Sequence, residues 1–179
     1  MARVSLIAEK DHPELAGLIA RLKASRGGKF LNLYRVLLHS PAVAATWLDF
    51  NSAVRFGSAL DAGVRELAIL RVAIANGADY QVRIHAAVHA QEAGLTPRQV
   101  AALADWRGSD AFTLLQRAVL AYADAMTQQI DVPDAIYSEL GRYFSERQIV
   151  ELTVLVGAYN MHARVTRALR IDVEAAPGK

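Results

Sequence analysis

Apolar residues recur along almost the whole chain at intervals of three and four, the spacing of one face of an α-helix. No stretch alternates convincingly between apolar and polar residues, so the pattern predicts an all-α fold, a compact multi-helix bundle. Predicted helices cover residues 13–25, 30–39, 41–56, 62–76, 79–93, 112–129, 133–144 and 145–170. A further short helix starts at Thr96 and ends in a loop over 105–110, and the tail at 175–179 is predicted to be disordered.

Residues suited to helix ends mark several of these boundaries. Asp61 can accept hydrogen bonds from the free amides of the next helix, and Gly77 suits the left-handed backbone beyond its end. Thr96, Pro97 and Gln99 form the clearest start signal, a capping box with proline in the first helical position.

One predicted helix, over residues 64–75, is apolar around nearly its whole circumference. Only Arg65, Glu66 and Arg71 interrupt it. Such a helix belongs at the centre of a bundle, with neighbours on most sides. We therefore expect Leu70 to be fully buried, and the tight turn at Gly77 to fold the next helix back against this one.

The composition indicates one folded domain of 179 residues, in which 1–40 form a helical extension and 42–170 the core. Cysteine is absent, which excludes disulfides, thiol nucleophiles and cysteine-bound metals. A net charge of +2 with scattered basic residues argues against a nucleic-acid partner. Neither a signal peptide nor a membrane span is apparent, so we expect a cytoplasmic protein with no membrane partner.

The hydrophobic fraction of 53% is high and suggests that some helix faces are buried between subunits. We therefore expect self-association, with the apolar stripe over 111–126 as a candidate interface. A monomer with a large core is the alternative.

The candidate chemistry lies between Arg65 and Thr96. Gln81, His85 and Glu92 share one helix face, and His89 lies one turn beyond His85. If this helix packs against the helix of Glu66, these side chains line one pocket. A partly buried carboxylate and an imidazole can exchange protons with a substrate near neutral pH, which makes Glu66 and His85 the catalytic candidates.

Each candidate also has a structural interpretation. Glu66 lies in a first helical turn, where the helix dipole favours a carboxylate, and His85 could be a hydrogen-bonded core histidine. Arg71 needs a carboxylate partner, which could be Glu66, Glu151 or a substrate.

Two further alternatives concern packing and metal binding. Tyr80 and Trp47 are candidates for packing as well as for binding. The set of His85, His89 and Glu92 has a spacing compatible with metal binding, but the chain lacks the His-Glu-x-x-His arrangement, so no metal is expected.

The stretch from Arg65 to Thr96 resembles the carboxymuconolactone decarboxylase superfamily, which includes the alkylhydroperoxidase D (AhpD) proteins. The resemblance rests on three segments, Arg65-Glu66-Leu67-Ala68-Ile69-Leu70-Arg71-Val72-Ala73, Asn76-Gly77-Ala78-Asp79-Tyr80-Gln81 with His85, and Glu92-Ala93-Gly94-Leu95-Thr96. It implies an AhpD-like bundle that assembles as a trimer, hexamer or dimer. Glu66 and His85 match the family's glutamate and histidine, whereas Ala78 and Gln81 stand at its two cysteine positions, so thiol-dependent peroxidase activity is not expected.

The decarboxylase branch of the family works without the cysteine pair, and the resemblance therefore implies a cofactor-free acid–base lyase. Its substrate would be a small carboxylated lactone or enol. His85 would move the proton at carbon, and Glu66 would orient His85. Gln81, Arg71, Tyr80 and His89 are the candidate substrate-binding residues. The alternatives are a non-catalytic homo-oligomeric protein that kept the fold, and a metal-assisted hydrolase.

Overall fold

The computed structural model of the protein describes residues 2–174, and the predicted disordered tail at 175–179 lies outside this part. Within it the chain is helical and contains no β-strand, which confirms the predicted all-α fold. The α-helices are α1 (Ala16–Ala24), α2 (Asn32–Leu37), α3 (Pro41–Phe56), α4 (Ala62–Ala75), α5 (Asp79–Ile84), α6 (Ala90–Glu92), α7 (Pro97–Ala102), α8 (Leu114–Gln128), α9 (Asp134–Leu140) and α10 (Glu146–Ala168).

Helix α4 lies at the centre of the bundle, between α8 and α10. Its residues from Glu66 to Ala73 are all buried, and Leu67 and Leu70 have no exposed surface. The prediction of a central helix is therefore confirmed. Every polar side chain on this buried surface must find a partner inside the protein.

A second apolar cluster joins the N-terminal segment to the rest of the chain. Ile19, Leu22 and Leu33 pack there with Trp47 of α3 and Ile171. The N-terminal helices therefore cover one side of α3. The predicted division into an extension at 1–40 and a core at 42–170 remains a prediction.

The helix ends agree with most of the predicted signals. Asp61 accepts hydrogen bonds from the amides of Gly63 and Val64, at 2.8 and 3.3 Å. Thr96 and Ser145 both form capping boxes. A third capping box, between Thr113 and Gln116, was not predicted. It starts α8 two residues later than the apolar pattern suggested.

Three predicted segments differ in detail. The first helix opens as a 3₁₀ turn at Pro13–Leu15, and the loop over 105–110 overlaps a kinked 3₁₀ segment, Leu103–Gly108. The helix over 79–93 is interrupted by a π-helical turn at His85–His89. Hydrophobic periodicity does not distinguish these turns from α-helix, because each changes the repeat only locally.

The interface predicted on the stripe over 111–126 is wrong. Val119, Leu120 and Ala123 of that stripe are buried inside the protein, where α8 packs against α4 and α9. The periodicity that marks an interface also marks an internal helix face, so the sequence alone could not distinguish them. Self-association itself remains a prediction.

The helices of residues 2–174 do not combine the length and hydropathy that a membrane span requires.

We expect substitution of Leu70 to show how much the central helix contributes to stability. Leu70→Ala should lower the free energy of unfolding by about 2–5 kcal/mol in urea titrations, because it leaves a cavity in a packed core. Leu70→Asp should prevent folding, because it buries an unpaired carboxylate. Leu114 is 73% exposed, so Leu114→Ala should change the stability by less than about 0.5 kcal/mol. Equal effects at the two leucines would contradict the central position of α4.

Candidate active site

A tight turn between α4 and α5 brings the two catalytic candidates together. Gly77 ends α4 with a φ of 59°, a left-handed conformation that glycine adopts without strain. The chain then folds back, and His85 Nδ1 lies 2.6 Å from Glu66 Oε2. Both residues are buried, with 5% and 6% of their surface exposed. The predicted pairing of the two helices thus places a carboxylate against an imidazole in the protein interior.

The surroundings of this pair determine its charge state. Burial opposes ionisation of Glu66, but the hydrogen bond from His85 and the positive charge of Arg55 outweigh it and lower the pKa of Glu66. Burial lowers the pKa of His85 and outweighs the opposing effect of Glu66. We assign Glu66 as a carboxylate and His85 as a neutral imidazole that donates from Nδ1. His85 Nε2 is then left as a proton acceptor.

The π-helical turn begins at His85. The amide of Ala90 donates to the carbonyl of His85, five residues back, so the turn holds one more residue than an α-helical turn. The rings of His85 and His89 lie 5.2 Å apart across it. Turns of this kind occur often at functional sites, because the extra residue re-aims side chains.

Beside His85 lies a cavity of about 70 Å³. Two cationic side chains, Arg26 and Arg55, contribute to its wall. The other lining residues are Leu31, Leu33, Tyr34, Asn51, Tyr80, Gln81, Ile84, His85, His89, Tyr159 and His162. The wall therefore combines apolar surface with a few polar groups, which is typical of a small-molecule site.

Four rings lie in a row that begins at His85 and ends at Trp47 of α3. Tyr159 lies edge-on to His85 at 5.3 Å, His162 lies 4.9 Å from Tyr159, and Trp47 stacks on His162 at 4.7 Å between centroids. Burial, with the nearby positive charges of Arg55 and Arg26, lowers the pKa of His162 to about 3. His162 is therefore neutral at physiological pH.

Most of the predicted site residues meet at this cavity. His89, Gln81 and Tyr80 all line it beside His85. The amide of Gln81 exchanges hydrogen bonds of 3.0 and 3.1 Å with the hydroxyl of Thr166. The Tyr80 hydroxyl donates to Glu174 at 2.8 Å. These two side chains thus have protein partners as well as contact with the cavity.

Arg71 is the predicted binding residue that the structure places elsewhere. Its guanidinium contacts Asp124 at 2.5 Å and donates to the carbonyl oxygen of Leu103 at 3.0 Å. Asp124 also accepts hydrogen bonds from Trp106 at 3.0 Å and from Arg107 at 2.7 Å. Arg71 is absent from the cavity wall. Arg71 therefore pairs with a carboxylate of the protein and not with a substrate. That carboxylate belongs to Asp124 and not, as predicted, to Glu66 or Glu151.

Several lining residues were not predicted as site residues. Asn51 and Arg55 lie four residues apart on α3, and their polar side chains at helical spacing were the available signal. Tyr159 and His162 come from α10, more than 70 residues beyond His85. No local pattern connects α10 with the stretch from Arg65 to Thr96, so only the tertiary fold reveals their contribution.

The alternative metal site is not assembled in the described part of the chain. No group of three or more histidine or acidic side chains in residues 2–174 is placed to hold an ion. His89 Nδ1 instead lies 3.2 Å from Glu92 Oε2, while His85 faces Glu66.

Comparisons with known proteins place this site in a family. The model of the carboxymuconolactone decarboxylase family matches residues 41–125. The uncharacterized protein YnjA of Escherichia coli strain K12 is 33% identical over 129 residues, which span 72% of this chain and 68% of YnjA. The chain belongs to the carboxymuconolactone decarboxylase family. The match covers α3, α4 and the Glu66–His85 pair, and ends within α8.

Solved structures confirm the AhpD-like fold of this family member. The AhpD-related protein ATU0492 of Agrobacterium tumefaciens is 27% identical, with a TM-score of 0.72 over 77% of this chain and 94% of that chain. The debrominase Bmp8 in complex with 2,3,4-tribromopyrrole is 19% identical, with a TM-score of 0.80 over 98% and 95% of the two chains.

We expect the Arg71–Asp124 pair to be structural. Arg71→Met should lower the free energy of unfolding by about 3–5 kcal/mol in urea titrations, because it leaves a buried aspartate without its main partner. Arg98→Met removes a cation from an exposed ion pair with Asp110 and should cost less than about 1 kcal/mol. Similar losses for the two variants would show that the buried pair contributes no more than a surface pair.

The buried His162 should make stability depend on pH. Its pKa is about 3 in the folded protein and about 6.5 when exposed, so the unfolded state binds the proton first as the pH falls. The folded state should therefore lose up to about 1.4 kcal/mol per pH unit from this group below pH 6.5. The measurement is urea unfolding at pH 7 and pH 5 for the wild type and His162→Phe, which keeps the ring. A smaller pH dependence is expected in the variant, and identical dependences would refute the assignment.

Proposed function

We propose that this member of the carboxymuconolactone decarboxylase family is a cofactor-free acid–base lyase. Its substrate class is a small carboxylated lactone or enol that loses carbon dioxide. The observation that supports the proposal most directly is the buried Glu66–His85 pair beside a cavity that also contains Arg26 and Arg55 in its wall. A positioned imidazole, a carboxylate that orients it and a cation for the substrate are the groups such a reaction needs.

The proposed reaction begins when an anionic substrate enters beside His85. Its negative charge favours protonation of His85, which takes up one proton from solvent at Nε2. The carbon–carbon bond to the carboxylate then breaks, carbon dioxide leaves, and the electron pair moves into the conjugated carbonyl as an enolate. His85 delivers its proton to the carbon and returns to the neutral form. The net reaction consumes one carboxylate and one proton, and yields one carbon–hydrogen bond and carbon dioxide.

Glu66 and Arg55 have supporting roles in this scheme. Glu66 accepts from Nδ1, which aims Nε2 and stabilises the transient imidazolium. Arg55 Nη2 lies 3.4 Å from Glu66 Oε1, a long contact that leaves most of its five donors for a substrate oxygen. The described residues that line the cavity include two arginines, Arg26 and Arg55, and no acidic side chain, and this positive charge favours an anion.

The size of the cavity limits the substrate. A single water needs about 10–15 Å³ of such space, so about 70 Å³ holds a compact ligand of few atoms. A larger lactone would have to displace part of the wall. The ligand in the Bmp8 complex is a substituted pyrrole. A protein of this fold therefore binds a small ring, which supports a small-ring substrate here.

Turnover of γ-carboxymuconolactone and of the smaller β-keto acid acetoacetate should test the proposal, with carbon dioxide release as the readout. His85→Gln should lower kcat/KM by about 10²–10⁴-fold, because it removes the proton donor. Glu66→Gln should lower kcat by a smaller factor. His39 is exposed, so His39→Gln is the matched control and should retain wild-type rates.

The pH profile of the same assay tests the order of the proton transfers. The pKa of His85 is lowered in the free enzyme, so kcat/KM should fall by about tenfold per pH unit above that pKa. A rate that rises with pH to a plateau would show His85 acting first as a base, which indicates isomerisation instead. No turnover of any substrate, with folded protein, would favour the non-catalytic alternative.

A further inference from the structure

Three buried polar atoms near the cavity have no hydrogen-bond partner among residues 2–174. They are Trp47 Nε1, Asn51 Oδ1 and His162 Nε2. Asn51 and His162 line the cavity, and Trp47 stacks on His162. A buried polar group without a hydrogen-bond partner is costly, and nearly all such groups in proteins are paired with protein or with a bound molecule such as water. Their grouping at one place therefore points to a ligand with matching polar atoms.

The orientation of Asn51 is set by a hydrogen bond within α3. Its Nδ2 donates to the carbonyl oxygen of Trp47 at 2.8 Å, which identifies the free atom as the acceptor Oδ1. Asn51 is 1% exposed, so this acceptor is turned into the protein and not towards bulk solvent. A ligand that satisfies it must carry a hydrogen-bond donor.

His162 supplies the complementary group. Its ring is held between Trp47 and Tyr159, and it is 8% exposed. A neutral imidazole can donate from one nitrogen and accept at the other. A hydroxyl placed beside His162 Nε2 and Asn51 Oδ1 can therefore donate to the asparagine and accept from the histidine.

Arg55 lies one helical turn beyond Asn51 on α3. Side chains four residues apart on a helix are about 5–6 Å from each other, so Asn51 and Arg55 face the cavity as neighbours. The stripe of Trp47, Asn51 and Arg55 thus presents an acceptor and a cation about one turn apart. Arg55 also contacts Glu66, which places the cation beside His85.

We propose that the cavity binds a small hydroxy- or enol-carboxylate along α3, with its carboxylate on Arg55 and its hydroxyl between Asn51 Oδ1 and His162 Nε2. This inference rests on the proposed function, because it specifies the substrate of the same site. The hydroxyl separates such a ligand from a plain carboxylate of the same size. A methyl group in its place would leave both protein groups unpaired, and a site of this kind discriminates strongly against such an analogue.

Two probes of the same shape test the proposal, 3-hydroxypropionate and butyrate, which differ by a hydroxyl in place of a methyl group. Their dissociation constants are measured by NMR titration of the full wild-type chain, because neither probe carries the conjugated carbonyl that the proposed reaction requires and neither is therefore turned over. We expect 3-hydroxypropionate to bind at least about tenfold more tightly than butyrate. Asn51→Leu should reduce this ratio to near one, mainly by weakening 3-hydroxypropionate.

A control variant and a second site variant show whether the selectivity depends on these two side chains. Thr46 lies exposed on the same helix, so Thr46→Ala should preserve the ratio. His162→Phe should reduce the ratio as Asn51→Leu does, and it replaces that variant if Asn51→Leu does not fold. Equal affinities for the two probes, or a ratio unchanged by both variants, would overturn the proposal. Failure of 3-hydroxypropionate to bind would also overturn it.

The two proposals fail in different measurements. Selective binding of 3-hydroxypropionate without decarboxylation of any substrate would refute the lyase and retain the ligand class. Decarboxylation that depends on His85, without selectivity for the hydroxyl, would refute the ligand class and retain the lyase.

Discussion

The burial of α4 on nearly all sides is the constraint on which the rest of the structure depends. A helix surrounded by protein cannot leave a charged side chain unpaired, so Glu66 and Arg71 each require a partner from another element. Glu66 finds His85, with Arg55 beside it, and Arg71 finds Asp124. The same constraint thus produces a carboxylate–imidazole pair near one end of the helix and a carboxylate–guanidinium pair further along it.

The difference between these two pairs lies in what surrounds them. Asp124 receives hydrogen bonds from three side chains and does not line the cavity beside His85. Glu66 pairs with an imidazole whose second nitrogen is left free beside an internal space. Only the second arrangement leaves a group able to exchange a proton with a ligand.

Membership of the carboxymuconolactone decarboxylase family does not by itself establish which reaction a protein catalyses. Ala78 and Gln81 occupy the positions that the resemblance assigns to the thiols of the peroxidase branch, and the chain has no cysteine. What remains is the glutamate–histidine pair, with the ring of Tyr159 from α10 against His85 and a cavity whose wall includes Arg26 and Arg55. Without a thiol, the groups of this pair that can transfer a proton are the imidazole and the carboxylate.

The sequence by itself determined the helices and the central pair. Hydrophobic spacing placed α3 and α4 within a residue of their observed bounds, and the turn at Gly77 predicted that Glu66 and His85 belong to packed neighbours. These features depend on residues close together in the chain, where periodicity and capping are informative. The tertiary structure alone decided that Arg71 pairs with Asp124, that α8 packs inward, and that Asn51, Arg55 and His162 complete the cavity. These contacts join residues far apart in the chain, and the physical reason is that burial forces polar groups to pair without specifying with which partner.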